Sequence, residues 1–170
     1  MPENSRQTLI INTGPILALI AATGSLEVLR GRYGTVRTTW EVARELEAGG
    51  GDRFGARAFR EASWLQLEEH PLTLTPYLVN LLDPGEASVI QLCLQVKEAM
   101  VCIDEVVGRR VARLHNMKLT GSIGILLKAR AKRFPVSIPD ALRNMREKGI
   151  WLSEKVIQFA LDHDPDRCER

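Results

Sequence analysis

The sequence predicts an α/β fold with a mostly parallel central sheet. Short apolar runs that read as buried strands, such as Leu9–Ile11 and Met100–Ile103, alternate with segments of helical periodicity. The chain has 170 residues, 45% of them hydrophobic and 26% charged, which suits one globular domain with a core that needs no staples. Residues 1–170 are read as that single domain, with its core over about 8–150 and a C-terminal helix over 153–163.

The elements follow in order. The strand Leu9–Ile11 stops at one amide, Asn12. Thr13 is placed to cap the next helix, with Pro15 in its first turn, where a missing N–H costs little. Gly24-Ser25 restarts a helix over SLEVLRGRYG, and Thr35–Thr39 reads as a second strand. A helix from Trp40 to Glu47 is closed by Gly49-Gly50-Gly51, and residues 52–62 are weakly helical. Trp64–Glu68 alternates like an edge strand until His70-Pro71 breaks it. Asp83-Pro-Gly-Glu86 has the form of a helix start, with Asp as cap, Pro first and Glu three residues on. The strand Met100–Ile103 ends at Asp104, and a helix from Val106 to about His115 follows. A short strand near Lys118-Leu119, a helix over Ser122–Arg133 and helices over Asp140–Lys148 and Ser153–Asp162 complete the alternation.

Composition narrows the function classes. Cys93, Cys102 and Cys168 show no CxxC and no close pairing, so neither a disulfide framework nor a zinc site is suggested, and Cys93 and Cys102 read as core thiols in a reducing cytosol. No secretory leader and no membrane-spanning run is evident, which makes the expected location cytoplasmic. Net charge is +2, yet Arg109, Arg110, Arg113, Lys118, Lys128, Arg130, Lys132 and Arg133 crowd one stretch. Such a run fits a phosphate-backbone partner, and equally fits solvated helix faces. Aromatic residues make up 5%, so no stacking platform for bases is evident.

Three carboxylates stand at element edges: Glu45 after the second strand, Glu86 at a helix start, and Asp104 at a strand end. With Asn12 they are placed to converge at the carboxyl ends of adjacent parallel strands, where open α/β sheets bind ligands. A cluster of hard oxygens suits Mg²⁺ or Mn²⁺, which can bridge a phosphodiester, whereas clustered acids without a cation repel. Each residue also has a plain structural reading. Glu86 can complete the box with Asp83, and Asp104 can cap the following helix. Glu45 can pair with a surface cation, and Asn12 can form an Asx turn into Gly14-Pro15. Thr120-Gly-Ser-Ile-Gly124 opens a helix whose N–H groups could hold a phosphate, or is a tight turn capped by Ser122.

The order of these pieces resembles the PIN-domain family, in particular its compact branch of predicted nucleic-acid-binding proteins related to the ribonuclease toxins of toxin–antitoxin pairs. The residues that carry the resemblance are IINTGPILALI, TTWEVARELEAG, LDPGEASVIQLCLQ, VCIDEVVGRRVARLHNMKLTGSIGILLKA and KGIWLS. The resemblance implies a three-layer α/β/α domain whose acidic pocket binds Mg²⁺ or Mn²⁺ for hydrolysis of RNA. It implies Glu45, Glu86 and Asp104 as catalytic acids, and Asn12, Glu86 and Asp104 as metal ligands. Thr13, Glu105, Thr120 and Ser122 follow as further pocket residues, although many relatives place their additional acid where this chain has Val106. Arg109, Arg110, Lys128, Arg130, Lys132 and Arg133 would hold the RNA backbone. A homodimer and a small antitoxin protein are the implied partners, with no membrane.

Asn12 is the departure, because the family's first acid is usually Asp. Asn offers a carbonyl oxygen but no charge, and its NH₂ must face away from a cation. Two functions therefore compete: a metal-dependent ribonuclease, and a non-catalytic nucleic-acid-binding or protein-interaction module with a weakened metal site. A phosphorylated receiver-like domain would need an acid pair after the first strand, which is not evident.

Overall fold

The side chains of Leu9, Ile10 and Ile11 are fully buried, because their strand is covered on both faces. The computed structural model describes residues 7–51 and 53–167, and in it β1 (Thr8–Ile11) lies at the centre of the sheet. It pairs in parallel with β2 (Thr35–Thr38) on one side and β4 (Met100–Cys102) on the other. β3 (Gln66–Leu67) continues beyond β2 and β5 (Lys118–Thr120) beyond β4, so the order is β3-β2-β1-β4-β5 with every pairing parallel.

Parallel neighbours need crossovers, and helices supply them. From β1 the chain crosses one way to β2 through α1 (Thr13–Thr23), and from β4 it crosses the opposite way to β5 through α6 (Val106–Leu114). Right-handed crossovers in opposite directions put these helices on opposite faces of the sheet, which makes three layers. α1 packs with α7 (Ser122–Ala131) and α8 (Ile138–Glu147), whereas α6 packs with α5 (Pro84–Gln95), itself laid on β1 and β4. α2 (Trp40–Glu47) touches both α1 and α5, followed by α3 (Ala56–Glu61); α4 (Pro76–Leu81) packs on α5 and α9 (Glu154–Asp162) on α8. The buried apolar residues, from Leu9 in β1 to Ala160 in α9, form one continuous cluster.

Strand order reverses direction between β1 and β4, and a crevice opens outside their carboxyl ends at such a switch point. Asn12 follows β1 there, its N–H bonded to the Cys102 carbonyl at 3.1 Å, and Asp104 follows β4. This topology brings together two residues more than ninety positions apart.

Several local expectations need correction. SLEVLRGRYG is a series of turns: Gly24 and Gly31 adopt φ of 84° and 74°, and the backbone bonds from Leu29, Arg30 and Arg32 reach only three residues back. Leu26, Val28 and Leu29 still enter the core, so the apolar spacing reports burial without a helix. Thr13 is the first residue of α1 and Asn12 its cap position, with no side-chain bond to the helix. Gly121, not Ser122, stands at the cap of α7. α4, which begins at Pro76, is a helix beyond those the sequence predicts. Cys93 and Cys102 are free and buried as expected, and burial pushes the Cys93 thiol up to about 11 and raises Cys102 as well. Cys168 lies outside the described residues. Among the described residues no helix is long and apolar enough to cross a membrane.

Candidate active site

Each acid in the crevice is held at the start of a helix. Glu45, on the last turn of α2, accepts the Thr13 hydroxyl at 2.5 Å and the Gly85 N–H at 3.1 Å, so it bridges the N-termini of α1 and α5. It is not the partner of a surface cation, since Arg44 turns instead to Glu47. Asp104 accepts the Ser122 N–H at 2.8 Å and the Ser122 hydroxyl at 2.7 Å, which caps α7 from outside. The cap position of its own following helix belongs to Glu105. Glu105 is exposed as a residue, yet its carboxylate turns in against Gly14 in the first turn of α1. Amide-rich helix N-termini carry partial positive charge, which offsets the mutual repulsion of the acids.

Four glycines make these approaches sterically allowed. A Cβ on Gly85 would stand 2.5 and 2.7 Å from the two Glu45 oxygens, and one on Gly121 would stand 2.6 Å from Asp104 Oδ1. A Cβ on Gly108 would meet Glu86 Oε1 at 2.8 Å, and one on Gly14 would meet Glu105 Oε1 at 2.3 Å. Any larger residue displaces the carboxylate it faces. Behind the acids, buried hydroxyls fix the elements to one another: Thr38 donates to the Ile11 carbonyl at 2.8 Å, Thr39 shares a 2.7 Å bond with Ser88, and Ser88 donates to the Gly85 carbonyl.

Two oxygens in this region are buried without a partner: Asn12 Oδ1 and Glu86 Oε1. Asn12 forms no Asx turn; its Nδ2 donates to Glu105 Oε2 at 3.4 Å, which leaves the amide oxygen unbonded. Glu86 faces Asp83 as a capping box would: its N–H bonds to Asp83 Oδ1 at 2.8 Å and its carboxyl turns toward the Asp83 backbone N–H, which leaves Oε1 as the oxygen without a partner. Burial, with the charges of Asp83 and Glu105 adding, pushes Glu86 up to about 7. Desolvation raises Glu105 too, and the Asp104 charge adds to it. Glu105 thus couples Asn12 to Glu86, and Asp83, read from sequence only as a cap, acts on both acids.

The remaining expected residues divide. Thr120 is buried and its hydroxyl lies where a Cβ on Gly124 would be 2.9 Å away, so it faces the body of α7. Arg109 works inside the fold: its Nη1 donates to the Ile103 carbonyl at 2.8 Å and the Thr120 carbonyl at 3.2 Å, clamping the ends of β4 and β5. Arg130 forms a bidentate pair with Asp166. Arg110 is exposed on α6, Lys128 is exposed on α7 about 9 Å along the helix from Ser122, and Lys132 and Arg133 are exposed just past its end. Glu45 and Asp104 are thus each fixed by a hydroxyl and a helix-start N–H, whereas the basic run is spread over separate tasks.

The donor set suits a hard divalent cation. Asn12 and Glu86 each present a dry oxygen with no other bond, and charge-dense Glu105 is beside them. Among the described residues no three His, Cys, Asp or Glu side chains are drawn up as a ligand group. What sequence reasoning missed are the four glycines, Asp83 and the hydroxyl set Thr38, Thr39 and Ser88. Their signal is faint because most of them act on a residue distant in the chain, as Gly85 does on Glu45 and Thr39 on Ser88.

Comparison with known proteins agrees with this architecture. No curated protein matches the chain. A family model described as PIN domain matches residues 8–164, from the first residue of β1 to the segment beyond α9. The matched span holds the parallel sheet, the switch point and every acid described above, so the chain belongs to the PIN-domain family.

Proposed function

We propose that the protein is a metal-dependent ribonuclease that hydrolyses phosphodiester bonds of single-stranded RNA at the crevice between β1 and β4. The observation that carries this reading is the pair of buried, unpartnered oxygens on Asn12 and Glu86 beside Glu105. Burying such atoms without partners is costly, and a cation is the ligand that best satisfies an amide oxygen and a carboxylate together. When bound, Mg²⁺ or Mn²⁺ would polarise the phosphodiester and lower the pKa of a bound water.

This chain's own residues supply the rest. Asn12, Glu86 and Asp104 offer the ligand oxygens, with Ser122 orienting Asp104 through two bonds. Glu45, fixed by Thr13 and Gly85, is positioned to orient the attacking water or take its proton. Glu86, pushed up to about 7, is poised between proton-bearing and ligating forms near neutrality. Arg110 on α6 is the exposed cation of the basic run nearest the acids in sequence, and Lys128, Lys132 and Arg133 would meet RNA farther along the strand.

The neutral Asn12 favours a second reading, a nucleic-acid-binding module with a weakened metal site. Incubation of single-stranded RNA with purified protein decides between them. Cleavage is expected with Mn²⁺ or Mg²⁺ and not with chelator, and Glu86→Gln and Asp104→Asn are expected to abolish it. Equal cleavage by wild type and both variants would contradict the assignment. No cleavage by wild type, with activity gained in Asn12→Asp, would select the second reading.

A further inference from the structure

A cavity of about 350 Å³ shares two of its lining residues, Thr13 and Glu45, with the acidic crevice. Its other walls include Leu17 from α1, Leu46 from α2, and Arg53 and Phe54 from the segment before α3. We propose that this cavity seats one nucleobase of the RNA strand, next to the phosphodiester held by the acids, with Phe54 as its stacking platform. The proposal rests on the ribonuclease reading and extends it to how the strand is gripped.

The chemistry of the walls favours a base. An aromatic ring and two leucines form apolar sides, while a guanidinium and a hydroxyl–carboxylate pair stand at the edges. A flat heteroaromatic ring with a hydrogen-bonding rim matches that arrangement, and single-stranded RNA is recognised mainly by stacking bases on aromatic side chains and Arg planes. The volume lies near the lower end of the range for small-ligand pockets, enough for a base with part of its ribose and too small for a longer segment. An occupant there borders the crevice, because Glu45 and Thr13 belong to both.

The platform is prepared before any ligand arrives. Gly55 adopts φ of 85°, and Leu17 Cδ2 comes within 2.5 Å of where its Cβ would be, so this glycine lets the segment dock on α1. The Arg53 stem crosses Gly49 so closely that a Cβ there would be 2.1 Å from Cδ, and Nη1 donates to the Glu45 carbonyl at 3.1 Å. Lys148, at the end of α8, holds its ammonium 5.9 Å from the Phe54 ring centroid. Despite these contacts Phe54 remains 39% exposed, an aromatic surface left available beside an acid.

The test uses RNA oligonucleotides carrying 2-aminopurine at successive positions around the cleaved bond. Wild type, or Glu86→Gln to prevent turnover, is expected to quench fluorescence at one position adjacent to that bond. Phe54→Ala and the better-packed Phe54→Leu should lose the quenching and raise KM about tenfold with kcat little changed, whereas Phe54→Trp should keep both. An abasic residue at the same position should weaken wild type equally and add nothing to Phe54→Leu. Cleavage with unchanged KM and quenching in Phe54→Leu would overturn the base seat and leave the nuclease reading intact. Absence of cleavage by wild type would overturn the nuclease reading. Quenching by the uncut RNA, lost in Phe54→Leu, would then still support the seat, and no quenching at any position would overturn it.

Discussion

Asn12 and Glu86 each keep a polar oxygen dry and unpaired, which ordinarily costs about 1–3 kcal/mol per group. For Glu86 that cost has a pH signature in metal-free buffer. Its carboxyl titrates near 4.5 in the unfolded chain and at about 7 in the folded one. Between those values the folded chain keeps a proton that the unfolded chain has released, so stability is full below the first and falls as pH rises through the second. Glu86→Gln, which cannot ionise, is therefore expected to exceed wild type by about 1–3 kcal/mol near pH 8 and to match it near pH 4, as read from urea midpoints. Parallel pH profiles for the two proteins would mean that Glu86 is ionised without penalty. The identity of these two residues was legible from their places at element ends. Their lack of partners was not, because it depends on Glu105 arriving from the turn after β4.

At the scale of elements, the first turns of α1, α5 and α7 each hold an acid carried by another element, and small residues in those turns make room for it. Gly85 in α5 tests this arrangement. Alanine is the better helix former by up to about 1 kcal/mol, so Gly85→Ala should leave thermal stability nearly unchanged. Its Cβ would nevertheless collide with both Glu45 oxygens, breaking their bond to the Gly85 N–H. Cleavage is expected to fall at least about tenfold, the usual scale for a displaced catalytic group. Retained activity with retained stability would show that Glu45 has no part in the reaction. The Asp83-Pro84 start of α5 was readable because capping is local in sequence. The ten residues after α1 were misread because the pattern of Leu26, Val28 and Leu29 reports what enters the core, while Gly24 and Gly31 decide the backbone.

At the scale of the molecule, alternation of apolar runs and helices was enough to infer the parallel sheet, since each run is continuous and locally bounded. Strand order places β4 beside β1, and with it Glu105 beside Asn12 and Glu86. The dispersal of the basic run was hidden for the same reason. Arg109 and Arg130 serve carbonyls and Asp166 that become neighbours only after folding. Everything proposed for the crevice depends on its holding a divalent cation, and titration of Mn²⁺ by electron paramagnetic resonance reads that directly. Wild type is expected to deplete the free-ion signal, and Glu86→Gln to lose about tenfold or more in affinity with an unchanged circular dichroism spectrum. No binding by wild type at millimolar Mn²⁺, or equal binding by the variant, would contradict the metal centre.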